Sequence, residues 1–105
     1  MDPEGLARWY QENLGLPAFP VVQEPWLQEG GPTVFSTFAE DTEYFGRTGQ
    51  QTMINFRVPD LDAMLAQLRV AGAAVDEEIQ EEPYGKFGWA TDPEGNRFEL
   101  WEPAG

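Results

Sequence analysis

The chain has 105 residues, 41% of them hydrophobic, and its 19 acidic and 6 basic residues give a net charge of −13. It contains no cysteine and no histidine, which excludes disulfides, thiol nucleophiles and imidazole metal ligands from one globular unit of this size. The charge repels nucleic acid and anionic membranes, and no apolar run reaches the about 20 residues of a membrane span, so we predict neither partner and a cytoplasmic location.

The first helix is predicted to begin at Asp2. This residue has the side chain of an N-cap, Pro3 suits the first helical position, and Gly15 stands where a closing glycine belongs. Alternating side chains predict a strand at residues 33–39, and the polar residues 40–51 are predicted to connect two modules.

A second run begins with a strand predicted at residues 53–58, whose side chains alternate between two faces. Met53, Asn55 and Arg57 share the face opposite the apolar one. A helix follows, capped by Asp60, with apolar residues at helical spacing at positions 61, 64, 65 and 68. Strands are predicted beyond it at 74–80 and 86–91, and Trp89 is predicted to be a core residue because it shares a face with Phe87.

The C-terminal stretch begins with a turn and ends with a strand. Asp-Pro-Glu-Gly-Asn at 92–96 combines residues that favour turns, with Gly95 able to adopt positive φ. In the strand that follows, Phe98 and Leu100 point one way, and Arg97, Glu99 and Trp101 point the other. A carboxylate between a cation and an indole is unusual for a solvent-facing surface.

The letters Asp-Pro-Glu-Gly-Asn-Arg-Phe-Glu-Leu-Trp-Glu-Pro resemble the closing hairpin of the vicinal oxygen chelate superfamily, which includes glyoxalases, bleomycin-resistance proteins and extradiol dioxygenases. Residues 50–103 resemble one complete βαβββ module of that superfamily. The resemblance implies an α+β fold in which paired βαβββ modules form a cupped mixed β-sheet.

An internal repeat predicts that the N-terminal module, residues 1–45, is incomplete. The predicted caps Asp2 and Asp60 are 58 positions apart (60 − 2), and Gly15 and Gly72 are 57 apart (72 − 15). A strand precedes Asp60 but only Met1 precedes Asp2, so we expect the first strand of module one to be missing from a single domain of residues 1–105. Uncovered strand edges would then favour a homodimer.

The resemblance implies that Glu99 stands at a position where the superfamily usually has a metal ligand. Met53 stands where the superfamily often has a ligand histidine, and the matching place in the first module falls near Phe35, which cannot ligate. One carboxylate does not make a hard-cation or zinc site. We therefore expect no metal and no cofactor. The alternative is a divalent metal whose remaining ligands come from a missing strand or a partner chain.

The resemblance implies a glyoxalase/bleomycin-resistance-like protein that binds a small ligand. The acidic charge and the indole favour an aromatic cation as that ligand. The predicted ligand-binding residues are Glu99, Trp101, Arg97, Arg57, Asn55, Met53 and Phe35. The alternative function is a metal-dependent lyase, isomerase or dioxygenase, and only then would Glu99 be catalytic.

Two roles remain open for Glu99. In a ligand pocket, Glu99→Gln should weaken binding about tenfold and leave the melting temperature nearly unchanged. In a structural ion pair with Arg57 or Arg97, the same change should lower stability and leave binding unaffected.

Overall fold

The computed structural model describes residues 2–16, 42–46 and 49–105. The chain divides into two compact units, Met1–Thr42 and Glu43–Gly105. The strand predicted at 33–39, including the proposed ligand contact Phe35, lies outside the described residues. The incomplete first module and the missing strand stay predictions.

Within the first unit, helix α1 spans Pro3–Leu14 and has the predicted ends. The Asp2 carboxylate accepts a hydrogen bond of 2.7 Å from the backbone N–H of Gly5, which satisfies one of the free donors of the first turn. Gly15 closes the helix at φ +72°, in the left-handed region that glycine enters without steric cost.

The second unit consists of one helix and five strands: β1 (Asn55–Arg57), α2 (Leu61–Val70), β2 (Ala74–Val75), β3 (Gln80–Glu82), β4 (Gly85–Thr91) and β5 (Arg97–Pro103). The strand order is β1-β5-β4-β2, with β3 also paired to β4. The β1–β5 pair is parallel and the other pairs are antiparallel, so the sheet is mixed. The predicted α+β class is confirmed. The single strand predicted at 74–80 is instead two short strands, β2 and β3.

Helix α2 covers one face of this sheet. Asp60 caps it, accepting from the backbone N–H of Ala63 at 3.0 Å, and its three buried leucines are Leu61, Leu65 and Leu68. Gly88 of β4 allows the close approach, because a Cβ there would lie 3.0 Å from a Leu65 methyl group. Burial of these apolar groups is the main contribution holding helix to sheet.

The turn between β4 and β5 fixes the register that builds the site. The buried Asp92 carboxylate accepts from the backbone N–H groups of Glu94 and Asn96, each at 2.9 Å. Gly95 has φ +86°. The turn predicted from these residues is confirmed, and it pairs Trp89 with Glu99 across the two strands.

No helix in the described part of the chain is long and apolar enough to cross a membrane.

Candidate functional site

The face of the sheet opposite α2, here called the site face, carries its side chains in rows that cross β4, β5 and β1. Register places Phe87, Trp101 and Arg57 in one row, here called the aromatic row. The next row, here called the carboxylate row, consists of Trp89, Glu99 and Asn55. Rows on one face are two residues apart along a strand, about 7 Å.

Glu99 is the centre of the carboxylate row and is only 9% exposed. Its Oε1 accepts a hydrogen bond from the side-chain amide of Asn55. Its Oε2 accepts from the indole N–H of Trp89 at 3.0 Å and from the hydroxyl of Tyr44. Three neutral donors therefore satisfy both oxygens of a buried carboxylate, which offsets the cost of removing it from water.

Tyr44 lies in the segment 42–46, which precedes β1 in the chain. Burial, together with the hydrogen bond to the negatively charged Glu99, raises the pKa of Tyr44 from 10.0 to about 12. Arg97 donates to the backbone carbonyl of Tyr44. Gly46 at φ +92° packs closely against the same arginine, since a Cβ there would lie 2.9 Å from Arg97 Cδ. The tyrosine is thus held at both its hydroxyl and its backbone.

Arg97 is engaged on all sides by other residues of the site. Its Nη2 forms an ion pair of 2.6 Å with Asp76 Oδ2. Its guanidinium carbon lies 5.2 Å from the ring centroid of Trp89 and 5.7 Å from that of Tyr44. The structural alternative of a Glu99–arginine ion pair is wrong within the described residues, because Arg97 pairs with Asp76 and Glu99 bonds only to neutral groups.

The aromatic row forms a continuous stack. The rings of Phe87 and Trp101 are nearly parallel, with an interplanar angle of 4° and centroids 6.0 Å apart. The Arg57 guanidinium carbon lies 5.2 Å from the Trp101 centroid. The Trp101 indole N–H donates to the Tyr84 carbonyl at 3.3 Å. The absence of a side chain at Gly85 provides the space for the indole, because a Cβ there would collide with the indole nitrogen.

Six of the seven predicted ligand-binding residues are described and lie together on the site face: Met53, Asn55, Arg57, Arg97, Glu99 and Trp101. Trp89 was predicted as core; it is buried, at 6% exposure, but on the site face against Glu99. Sequence reasoning missed Tyr44 and Asp76, which come from a polar connection and an acidic loop without periodicity.

Whether the site fits a metal is decided by its donors. Among residues 2–16, 42–46 and 49–105, no group of three or more acidic, histidine or cysteine side chains is placed to hold a metal ion. Both oxygens of Glu99 already accept from N–H and O–H groups, which repel a cation rather than bind it. The described residues therefore do not fit a metal.

Solved structures share this fold. TnmS3, an antibiotic binding protein from Streptomyces sp. CB03234, is 22% identical, with 99% of this chain and 89% of that chain covered and a TM-score of 0.57. TioX from Micromonospora sp. ML1 is 20% identical, with 99% and 90% covered and a TM-score of 0.56.

A further solved structure matches this chain over less than half of its own length. A glyoxalase/bleomycin resistance protein from Streptomyces sp. CB03234 is 35% identical over 46% of this chain, with a TM-score of 0.42, and the match spans 41% of that protein's length. No curated protein sequence matches the chain. The family model of the glyoxalase-like domain matches residues 1–101, and the chain therefore belongs to that family.

Proposed function

We propose that this chain is a small-molecule-binding protein of the glyoxalase/bleomycin-resistance type, and that it binds a planar aromatic ligand on the site face without a metal. The observation that carries the proposal is the composition of that face. That face carries a stack of aromatic rings, and its Glu99 carboxylate already accepts hydrogen bonds from three neutral donors.

The aromatic row supplies the contact surface. Trp101 and Phe87 are both partly exposed, and Tyr84 adds a third ring whose centroid is 5.8 Å from that of Phe87. Flat rings give large contact area with few rotatable bonds, so they lose little conformational entropy when a ligand stacks on them. The hydrogen bond from Trp101 to the Tyr84 carbonyl holds the indole in place before the ligand arrives.

The fold is compatible with such a role. TnmS3, which has the same fold, is described as an antibiotic binding protein. A lyase, isomerase or dioxygenase would need metal ligands that the described residues do not supply. We therefore propose binding rather than catalysis, with no cofactor. The cytoplasmic location and the cationic ligand predicted from the net charge stay predictions.

Calorimetric titration of chelator-treated protein with 2-naphthamide, a neutral planar probe, tests the proposal. We expect saturable binding that added zinc, manganese or nickel does not strengthen. Trp101→Ala should weaken binding, whereas the control Val70→Ala should not, because Val70 is 90% exposed on α2. Binding that requires metal, or that is indifferent to Trp101→Ala, would reject the proposal.

We also propose that a second copy of the chain covers the edge at β1. This strand stands at one end of the described strand order, and Ile54 beside it is 63% exposed. Edge strands with exposed apolar side chains favour pairing with another chain. Sedimentation should show a dimer that Ile54→Glu dissociates and the matched control Val70→Glu does not. A monomeric wild-type protein at micromolar concentration would contradict this.

A further inference from the structure

Arg57 is the exposed end of the aromatic row. Among the described residues its guanidinium forms no ion pair and donates no hydrogen bond, and it lies over the ring of Trp101. Three other bases in the described part of the chain have acidic partners, Arg8 with Glu4, Lys86 with Asp62 and Arg97 with Asp76. Arg69 donates to the backbone carbonyl of Asp76 at 3.2 Å. In a chain with 19 acids and 6 bases, the unpaired arginine beside the aromatic rings needs an explanation.

We propose that Arg57 selects the charge of the ligand, and that the ligand is a planar aromatic molecule carrying a carboxylate. The inference rests on the proposed binding function and specifies its ligand class. A guanidinium presents a rigid, planar set of N–H donors that matches the two oxygens of a carboxylate. When a ligand ring stacks on Trp101 in place of the Arg57 guanidinium, the protein loses one exposed cation–π contact. The displaced guanidinium donors then lie beside the edge of the ligand ring.

Local charge decides between an anion and the cation expected from composition. The net charge of −13 is spread over the chain, and salt screens charges more than about 8 Å away at physiological ionic strength. Glu99, the acid of the adjoining carboxylate row, already has both oxygens bound by Asn55, Trp89 and Tyr44. Arg57 is therefore the charged group whose donors remain available to a ligand on Trp101.

Three probes of one shape test this inference by calorimetry: 2-naphthoate, 2-naphthamide and 2-naphthylmethylammonium. In the wild-type protein, 2-naphthoate should bind about tenfold more tightly than the amide, as one charge-assisted interaction contributes. Arg57→Gln should abolish that difference. Arg57→Lys, which keeps the charge but loses the planar fork, should retain only part of it. Arg57→Gln should leave the melting temperature unchanged, since the side chain is exposed.

The possible results separate this inference from the function on which it rests. If 2-naphthoate binds no more tightly than the amide, or keeps its advantage in Arg57→Gln, the inference fails and aromatic binding stands. If the ammonium probe binds most tightly, the inference fails and the cationic ligand predicted from composition gains support. If none of the three probes binds, both the inference and the proposed function fail.

Discussion

Trp89 donates its indole N–H to Oε2 of Glu99 at 3.0 Å, across the β4–β5 pair that places the two residues opposite each other. The resemblance to the superfamily implies a metal ligand at the position of Glu99. Here the hydrogen bond from Trp89 instead makes the Glu99 carboxylate part of the packed side chains of the site. Trp89 is itself covered by the Arg97 guanidinium at 5.2 Å and meets the ring of Tyr44 edge-on at 6.1 Å. We therefore expect Glu99 to fix the side chains around it rather than to contact a ligand.

Paired substitutions at Glu99 test this role. Glu99→Gln should cost only about 1 kcal/mol, because the Asn55 amide can rotate and offer its oxygen to the new amide. Glu99→Leu should lower the free energy of unfolding by about 3 kcal/mol or more, because it leaves three donors without an acceptor. Denaturant melts measure both values.

Binding data for Glu99→Gln separate the two roles considered for this residue. Because both carboxylate oxygens are occupied by the protein, we expect less than about a tenfold loss of affinity for 2-naphthamide. A loss of tenfold or more at an unchanged melting temperature would show that Glu99 contacts the ligand directly.

Tyr44 should make stability fall in alkaline solution. The pKa of Tyr44 is raised from 10.0 to about 12 in the folded chain. The contribution of the Tyr44 hydroxyl to the free energy of unfolding is therefore complete below pH 10.0 and is lost as the pH rises towards 12. The unfolded chain releases this proton first, which favours unfolding across that window. The difference in free energy of unfolding between wild type and Tyr44→Phe should shrink there. A difference independent of pH would contradict the Tyr44–Glu99 hydrogen bond.

Gly85 should be the glycine least tolerant of a side chain. Gly72 and Gly85 have φ of +88° and +145°, so alanine is strained at both. Only at Gly85 would the new methyl group also collide with the Trp101 indole and the Glu102 carbonyl, as nothing lies within 4 Å at Gly72. Gly85→Ala should therefore cost about 1–3 kcal/mol more than Gly72→Ala and should weaken aromatic binding. Equal losses in denaturant melts would mean that Trp101 is not held as described.

Residues close in sequence were predictable because their patterns are local. The alternation of residues 97–101 placed Glu99 and Trp101 on one face, and the turn residues at 92–96 fixed the hairpin. Caps at Asp2 and Asp60 follow from single side chains that accept from the next turn. These features depend on a few neighbouring residues, so the sequence alone specifies them.

The partners of Glu99 were harder to predict because they depend on register and distant contacts. Alternation in β4 shows that Phe87 and Trp89 share a face but not which face of the sheet it is. Tyr44 is 55 positions from Glu99, and Asp76 is 21 positions from Arg97. No periodic pattern marks either residue. Only the assembled sheet brings them together.

If the site face binds an aromatic molecule without a metal, the ligand should perturb the indole N–H resonance of Trp101. This group donates to the Tyr84 carbonyl at the aromatic row and can be assigned in ¹⁵N-labelled protein with Trp101→Phe. In chelator-treated protein, 2-naphthamide should shift this resonance saturably, and zinc should add nothing. A resonance that does not move, or that moves only after zinc is added, would contradict metal-independent aromatic binding on the site face.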